Sequence, residues 1–192
     1  MRIISVTCYT VHVRIISGKY GGRIIKPPKN FKARPTTDLA REGLFNILNN
    51  RIDFEGLRVL DLFAGTGSVG FEFASRGASR VDMVEINFIH FNFIKKAIQI
   101  LGAENVKVMK SDFFRIIPGI KQNYDLVFAD PPYDMKNFDL VPKLVLSQGI
   151  LEPGGFFILE HSRDYDFSEL PGFIELRKYG SVHFSFFGRE KE

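Results

Sequence analysis

From residue 57 onward, apolar positions fall into two alternating patterns. Short, nearly continuous apolar runs such as Leu126-Val127-Phe128-Ala129 and Phe156-Phe157-Ile158-Leu159 alternate with stretches whose apolar residues recur every three or four positions. The first pattern suits strands covered on both faces of a sheet, and the second suits the helices that cover them. On this basis strands are expected over residues 58–62, 80–85, 106–110, 124–129 and 156–160. Helices are expected between them over 69–76, 87–101, 113–118 and 136–147. In the helix that follows Asn87, the residues Phe91, Ile94, Ile98 and Leu101 share one face, which marks ordinary core packing. Two last strands, 173–178 and 182–187, meet at Tyr179-Gly180-Ser181 and are expected to close the sheet as an antiparallel pair. This alternation predicts a doubly wound α/β sheet, in which ligands bind beyond the carboxyl ends of the strands where the strand order reverses.

Upstream of that body, residues 14–17 and 23–26 read as two short strands joined through Gly18-Lys19-Tyr20-Gly21-Gly22, whose glycines permit a tight turn. Pro27-Pro28 ends the second strand. Thr36-Thr37-Asp38 offers a capping hydroxyl and a first-turn carboxylate, and Leu44, Phe45 and Leu48 recur at helical spacing, so residues 37–50 are expected to form a helix. The tetrapeptide Arg2-Ile3-Ile4-Ser5 recurs as Arg14-Ile15-Ile16-Ser17, a single repetition that makes no solenoid. Residues 1–13 are read as an extra strand or a loose tail. The expected division is an N-terminal hairpin extension over 1–35 and one main domain over 36–192.

Composition narrows the classes. The chain has 192 residues, 45% hydrophobic and 25% charged, as in a globular protein able to bury its own core. Its one cysteine, Cys8, cannot form an internal disulfide, and His12, His90, His161 and His183 are scattered without metal-ligand spacing. The apolar runs are too short to span a bilayer, and residues 1–13 lack the apolar stretch of a signal peptide. A reduced, cytoplasmic protein with no metal and no membrane partner is expected. The net charge is +4, but Arg14, Lys19, Arg23, Lys26, Lys29, Lys32 and Arg34 lie in one stretch without an acidic residue, which leaves the rest of the chain at −3. A basic hairpin with an aromatic at its tip suits a phosphate backbone, although a merely solvated basic face would look the same.

Candidate chemistry sits at the expected strand ends. Asp61-Leu62-Phe63-Ala64-Gly65-Thr66-Gly67 runs from a strand into a glycine turn and a helix start, and Glu85 ends the next strand, where it can accept from both hydroxyls of a ribose. Gly65, Gly67 and Gly70 also fit a dinucleotide pattern, so a nicotinamide cofactor stays open. Asp61 favours another ligand, because a carboxylate there would repel a pyrophosphate but suits an ammonium group. S-adenosylmethionine carries an ammonium, a sulfonium and no phosphate. Asp112 offers an acceptor for an adenine amine and Phe113 a ring to lie against it; Asp112 also serves as a helix cap, and the two roles are compatible.

Asp130-Pro131-Pro132-Tyr133 is the most specific signal in the chain. The two prolines have fixed φ and no N–H, so this loop is rigid and presents bare carbonyls. An exocyclic base amine is a poor nucleophile because its lone pair is delocalised into the ring. The Asp130 carboxylate and the Pro131 carbonyl can accept from that amine and orient its lone pair, while Tyr133 stacks on the base. Asp-Pro-Pro also occurs as an ordinary turn; its placement at a strand end, in frame with Asp61, Glu85 and Asp112, favours the catalytic reading.

Together these residues resemble class I methyltransferases of the amino-methylating type. Arg14-Ile15-Ile16-Ser17-Gly18, Gly22-Arg23, Arg34-Pro35-Thr36-Thr37-Asp38, Arg41-Glu42 and Leu44-Phe45-Asn46 further resemble the N-terminal signature of the bacterial RsmD family, and the likeness runs from about Arg14 past Arg177. The resemblance implies a Rossmann-like class I methyltransferase sheet and methylation of a guanine N2 amine in 16S ribosomal RNA, naked or in a small-subunit particle. It implies that Asp61, Phe63, Gly65, Thr66, Gly67, Glu85, Ile86, Asp112 and Phe113 hold S-adenosylmethionine and that Asp130, Pro131, Pro132 and Tyr133 hold the guanine. Arg14, Lys19, Arg23, Arg34 and Arg41 are then expected to contact RNA. Residues 1–13 depart from the family pattern and have no implied role. The competing readings are an adenine-N6 or protein-glutamine methyltransferase, a nicotinamide oxidoreductase and a non-catalytic RNA-binding module.

Overall fold

The computed structural model describes residues 13–28 and 38–189. In chain order the elements are β1 (Val13–Arg14), β2 (Ile24–Ile25), α1 (Asp38–Asn49), β3 (Arg58–Asp61), α2 (Ser68–Ser75), β4 (Arg80–Glu85), α3 (Phe88–Leu101), β5 (Val106–Lys110), α4 (Phe113–Ile116), β6 (Tyr124–Ala129), α5 (Leu140–Ser147), β7 (Leu151–His161), β8 (Phe173–Tyr179) and β9 (Val182–Gly188). A 3-10 turn, Ile117–Gly119, extends α4. The main sheet has the order β5-β4-β3-β6-β7-β9-β8. The strands β3 to β7 are mutually parallel, and β9 runs antiparallel to both β7 and β8. The chain winds outward from β3 through β4 to β5 and then crosses back to set β6 on the other side of β3. That reversal opens a crevice between the carboxyl ends of β3 and β6.

Alternation along the strands sends side chains into two cores. Val59, Leu126, Phe128 and Ile158 face a layer built from α1, α2, α3 and the hairpin β1–β2, whereas Leu60, Val127, Ala129, Phe157 and Leu159 face the layer of α4 and α5. Two covered faces keep the strands largely apolar, and a polar residue inside one is paired: Asp82 in β4 is buried and accepts from the Tyr124 hydroxyl at 2.8 Å and from Arg80 Nε at 2.7 Å. Local signals fix the helices. Asn87 caps α3 by accepting from the Ile89 and His90 amides at 2.8 and 3.3 Å, and Gly102 ends it at φ 62°. Gly43 inside α1 allows close packing: the Tyr179 hydroxyl donates to the Gly43 carbonyl at 3.1 Å, and a Cβ at Gly43 would lie 2.3 Å from the Tyr179 ring.

Three expected elements differ from the structure. Helix α5 starts at Leu140 and not at 136, because Asn137 sits at φ 64° and breaks the helical path. Strand β7 begins at Leu151 and not at 156; a register shift opposite Tyr124 and Leu126, with Gly154 at φ 78°, absorbs the Pro153-Gly154-Gly155 interruption. The hairpin strands are limited to Val13–Arg14 and Ile24–Ile25: the Ile15 N–H still donates across to the Arg23 carbonyl at 3.0 Å, but the amides beyond it bond elsewhere. Ile16 N–H and Ser17 N–H donate to the buried Glu72 carboxylate of α2 at 2.7 and 3.1 Å, and Glu72 is also paired with Arg76. The readings for residues 1–12, for the Thr36-Thr37 cap and for Arg34 lie outside the described residues.

Glu72 thus clamps the hairpin onto α2. Glu72→Ala should lower the unfolding free energy by about 3 kcal/mol, since it leaves two amides and a guanidinium without a buried acceptor. Urea denaturation checks the magnitude, and hydrogen exchange should show the Ile16 and Ser17 amides losing protection well before those of β3 and β6. Unchanged protection at these two amides would refute the clamp.

Candidate active site

A cavity of about 660 Å³ opens at the carboxyl ends of β3, β4, β6 and β7. Its first wall is the turn after β3. Phe63 and Gly65 line it, and the Gly65 N–H, at φ 54°, donates to Glu85 Oε2 at 2.7 Å. The other Glu85 oxygen accepts from the Asn87 N–H at 2.6 Å. Glu85 therefore ties the glycine turn to the start of α3 while itself lining the cavity, and each oxygen keeps a second lone pair for a ligand.

Not every expected cofactor residue reaches the cavity. Gly67 and Thr66 are buried behind it, and Gly67 is required by packing: it sits at φ 74°, and a Cβ there would lie 2.8 Å from the Phe71 ring. Asp61 also lies behind the wall, 1% exposed, and neither carboxylate oxygen makes a hydrogen bond. Burial pushes its carboxyl up to about 7, the charges of Asp130 and then Glu85 push the same way, and the nearby amides of Gly70 and Phe63 offset part of the rise. Gly70 lets α2 come this close, since a Cβ on it would meet Asp61 Oδ2 at 3.2 Å and Met83 Cε at 2.4 Å.

The second wall holds Ile86, Asp112 and Phe113. Ile86 is exposed, whereas Phe113 is buried and stacks on Phe63 with ring centroids 5.2 Å apart. Asp112 accepts from the Arg115 N–H at 3.3 Å as the cap of α4, the structural role expected beside its ligand role. The third wall is Asp130, Pro131, Pro132 and Tyr133, all lining the same cavity. The Tyr133 hydroxyl donates to Glu160 Oε1 at 3.3 Å.

Glu160 lines the cavity and was missed, as were Ser111, His90 and Ser181. Glu160 had a readable signal, an acidic residue closing an apolar strand, the same signal that singled out Asp61 and Glu85. Ser181 had none, because it reaches the cavity only through the antiparallel pairing of β8 and β9. Among the described residues no cluster of His, Cys, Asp and Glu could hold a metal ion, and no helix is long and apolar enough to cross a membrane.

The expected RNA contacts lie elsewhere. Lys19 and Arg23 are exposed at the hairpin tip. Tyr20, expected to be displayed there, is only 3% exposed and anchors the tip in the core, with Lys19 and Arg23 over its ring. Arg41 also departs from expectation: it is buried, and its Nη2 donates to the Arg14 carbonyl at 2.8 Å, so it holds the hairpin instead of facing outward. Arg14 is half exposed and pairs with Glu42 at 2.7 Å. The Lys19 N–H donates to the Ser75 carbonyl and the Tyr20 hydroxyl to that of Gly102, so the tip packs on the carboxyl ends of α2 and α3, whereas the cavity opens at their amino ends.

Comparison with known proteins follows this geometry. The family model described as conserved hypothetical protein 95 matches residues 13–188. A ribosomal RNA small subunit methyltransferase D of Haemophilus influenzae is 34% identical over 157 residues, covering 79% of this chain and 80% of that protein. The solved structure of a hypothetical protein of Thermus thermophilus superposes with a TM-score of 0.80 at 31% identity, covering 91% of this chain and 98% of that one. A Thermus thermophilus 16S rRNA N2 G1207 methyltransferase, solved with AdoMet and guanosine, gives a TM-score of 0.70 at 23% identity, covering 94% of this chain and 50% of that one, a likeness of fold alone.

Asp61 gives a test of the site's electrostatics. In the unfolded chain it ionises near 3.8, whereas in the folded protein it keeps its proton to about 7, so its contribution to stability falls as pH rises between those values and is level above. Asp61→Asn should therefore stabilise the ligand-free protein by up to about 4 kcal/mol at pH 8 and by far less at pH 4.5. Urea unfolding at both pH values measures this, and a gain independent of pH would contradict the buried, proton-retaining carboxyl.

Proposed function

The chain belongs to the family described as conserved hypothetical protein 95, the RsmD family, and on that premise we propose that it transfers a methyl group from S-adenosylmethionine to the exocyclic N2 amine of a guanine in small-subunit ribosomal RNA. The observation that carries this reading is that Asp130-Pro131-Pro132-Tyr133 shares one cavity with Glu85, Asp112 and Phe113, with the unpartnered Asp61 carboxylate directly behind. Acids around a glycine turn repel a pyrophosphate, which disfavours a nicotinamide dinucleotide. The same acids fit a phosphate-free, cationic ligand. The name of the Haemophilus influenzae relative supplies the substrate class, RNA of the small ribosomal subunit.

In this reading Asp61 holds the ammonium of S-adenosylmethionine, Glu85 accepts from its ribose hydroxyls, Asp112 accepts from the adenine amine, and Phe63, Ile86 and Phe113 supply the apolar wall. Gly65 admits the ligand to the turn, while Thr66 and Gly67 shape that turn from behind. The bound cofactor supplies a methyl already activated on a sulfonium, so the protein's task is placement. Asp130 and the Pro131 carbonyl accept the two amine hydrogens, which leaves the nitrogen lone pair free to attack. Pro132 stiffens the loop and Tyr133 covers the base. Transfer of that methyl to N2 would leave a surplus proton on the amine, which the Asp130 carboxylate already accepting from it would receive and pass to solvent. The base must be unpaired or flipped out to enter a site of this depth.

We take residues 1–35 as an extension that contacts RNA and 36–192 as the catalytic domain, working in the cytoplasm. The hairpin tip lies roughly 20 Å from the cavity, the length of the 14-residue α3 at about 1.5 Å per residue. Lys19 and Arg23 therefore grip backbone well away from the modified base, and Arg14 lies along the same edge.

Asp130→Ala should lower turnover at least about 1,000-fold while S-adenosylmethionine affinity stays within a few-fold. Rates on small-subunit RNA and a cofactor titration measure the two effects, nucleoside digestion identifies the methylated product, and undiminished methylation would sink the assignment. The double variant Lys19→Glu with Arg23→Glu should raise KM for RNA, leave kcat near wild type and flatten the salt dependence of binding by about 1–2 units of slope. An unaltered KM would remove the tip from the RNA footprint.

A further inference from the structure

Glu160 has no part in the chemistry described so far, yet it stands where the base must enter. The strands β6 and β7 are parallel neighbours paired through Ala129 and Leu159, so the next residues on each, Asp130 and Glu160, end adjacent strands side by side. Both line the cavity, and Tyr133 bridges them in space, following Asp130 in the loop and donating its hydroxyl to Glu160 Oε1 at 3.3 Å. Glu160 is 3% exposed and belongs to a strand hydrogen-bonded on both sides, to β6 and to β9, so its position is rigid. A carboxylate so enclosed selects for hydrogen-bond donors, because an acceptor placed against it would leave two lone pairs opposed without water between them.

We infer that Glu160 is the specificity-determining residue for the base: its carboxylate accepts from the guanine N1–H, beside the N2 amine held by Asp130 and Pro131. The inference rests on the guanine-N2 reading above. Guanine presents three hydrogens in a row along this edge, one on N1 and two on N2, and the cavity presents the Glu160 carboxylate, the Asp130 carboxylate and the Pro131 carbonyl to receive them. Adenine presents its amine next to a bare N1 lone pair, which would point at the Glu160 carboxylate. Tyr133 keeps the arrangement in register by occupying one Glu160 oxygen while its ring covers the base.

The test uses small-subunit RNA segments with guanine or 2-aminopurine at the modified position, presented naked or in the particle, whichever supports turnover. 2-Aminopurine keeps the N2 amine but replaces the N1–H with a lone pair. Wild-type protein should methylate the guanine RNA about 100-fold or more in preference, in kcat/KM, as expected where a site built around a donor meets an analogue lacking it. Glu160→Gln can turn either its carbonyl or its amide toward N1, so the preference should shrink to about 10-fold or less, with a gain in absolute rate on 2-aminopurine. The missing O6 of 2-aminopurine affects both proteins alike and cancels from the change in ratio. S-adenosylmethionine affinity within a few-fold of wild type shows that the variant is folded, and if it does not fold, Glu160→Asp, which draws the carboxylate back from N1 by one methylene, carries the same ratio test. Equal rates on the two RNAs by the wild type, or an unchanged ratio in a folded Glu160→Gln, would overturn the role of Glu160 alone. Wild-type protein that leaves the guanine RNA unmodified would overturn the N2 reading, and this inference with it.

Discussion

Four neighbouring strands of the sheet close in carboxylates: Glu85 on β4, Asp61 on β3, Asp130 after β6 and Glu160 on β7. The fold leaves them nowhere else to go. Strands covered on both faces are largely apolar, and buried polar residues inside them, such as Asp82 and Ser185, are bound to neighbouring side chains. Ligand-facing polar chemistry therefore gathers at the carboxyl ends, and the reversal of strand order between β3 and β6 keeps those ends from being sealed by a crossover. The charges of Asp130 and Glu85 bear on Asp61, and the hydrogen bonds are shared unevenly: Glu85 accepts from two backbone amides and Glu160 takes the Tyr133 hydroxyl, while Asp61 is left with no hydrogen bond and retains its proton to about neutrality. A ligand that brings a cation and a base that brings hydrogen-bond donors complete what the fold leaves unbalanced.

The basic hairpin shows the same economy of parts on another face. Its strands are only two residues long, too short to be stable alone, and its position comes from side chains of the main domain. Glu72 and Ser75 of α2 take the hairpin amides, Arg41 of α1 takes the Arg14 carbonyl, and Tyr20 fills the core. Because α2 also carries the glycine turn at its other end, the basic tip and the glycine turn ride on opposite ends of one helix. In the proposed reading, an RNA that touched both would span the side of the molecule from the helix carboxyl ends to the cavity, a distance that suits a folded RNA better than a single nucleotide.

Much of this is legible in the sequence, for a definite reason. The strands β4, β5 and β6 can be read to the residue because polar or turn residues bound each short stretch of β-branched and apolar positions, and Asp61, Glu85 and Asp130 stand out because each closes such a stretch, with Asp112 just past the end of β5. The boundaries that fail are those set by backbone conformation, Asn137 before α5 and Gly154 within β7, where a residue that tolerates positive φ takes a left-handed turn whose consequence for the element's bounds the hydrophobic pattern does not announce. In the hairpin, a count of positive charges cannot distinguish Lys19 and Arg23, which face outward, from Arg41, which turns inward to bind a carbonyl. Glu160 closes an apolar run as Asp61 and Glu85 do, but no glycine turn or proline loop follows it to draw attention, and its place beside Asp130 is a fact of strand pairing.

Asp61, behind the cavity wall, and Glu160, on it, also illustrate how two acids at one site can suit opposite duties. Glu160 touches the cavity directly and has a fixed hydroxyl donor, which suits it to reading the hydrogen-bond pattern of a neutral base. Asp61 sits deeper, has no fixed partner, and gains most from a mobile positive charge, which suits it to a cation that arrives and leaves. If the two environments were exchanged, the base would face a carboxyl that keeps its own proton near neutral pH and so competes as a donor, and the cofactor would meet an acid already satisfied by a tyrosine. In the proposed reading, the division of labour between cofactor and base would follow from depth of burial and from which carboxylate owns a hydrogen bond, not from the identity of the residues, since both are simple acids at the ends of parallel strands.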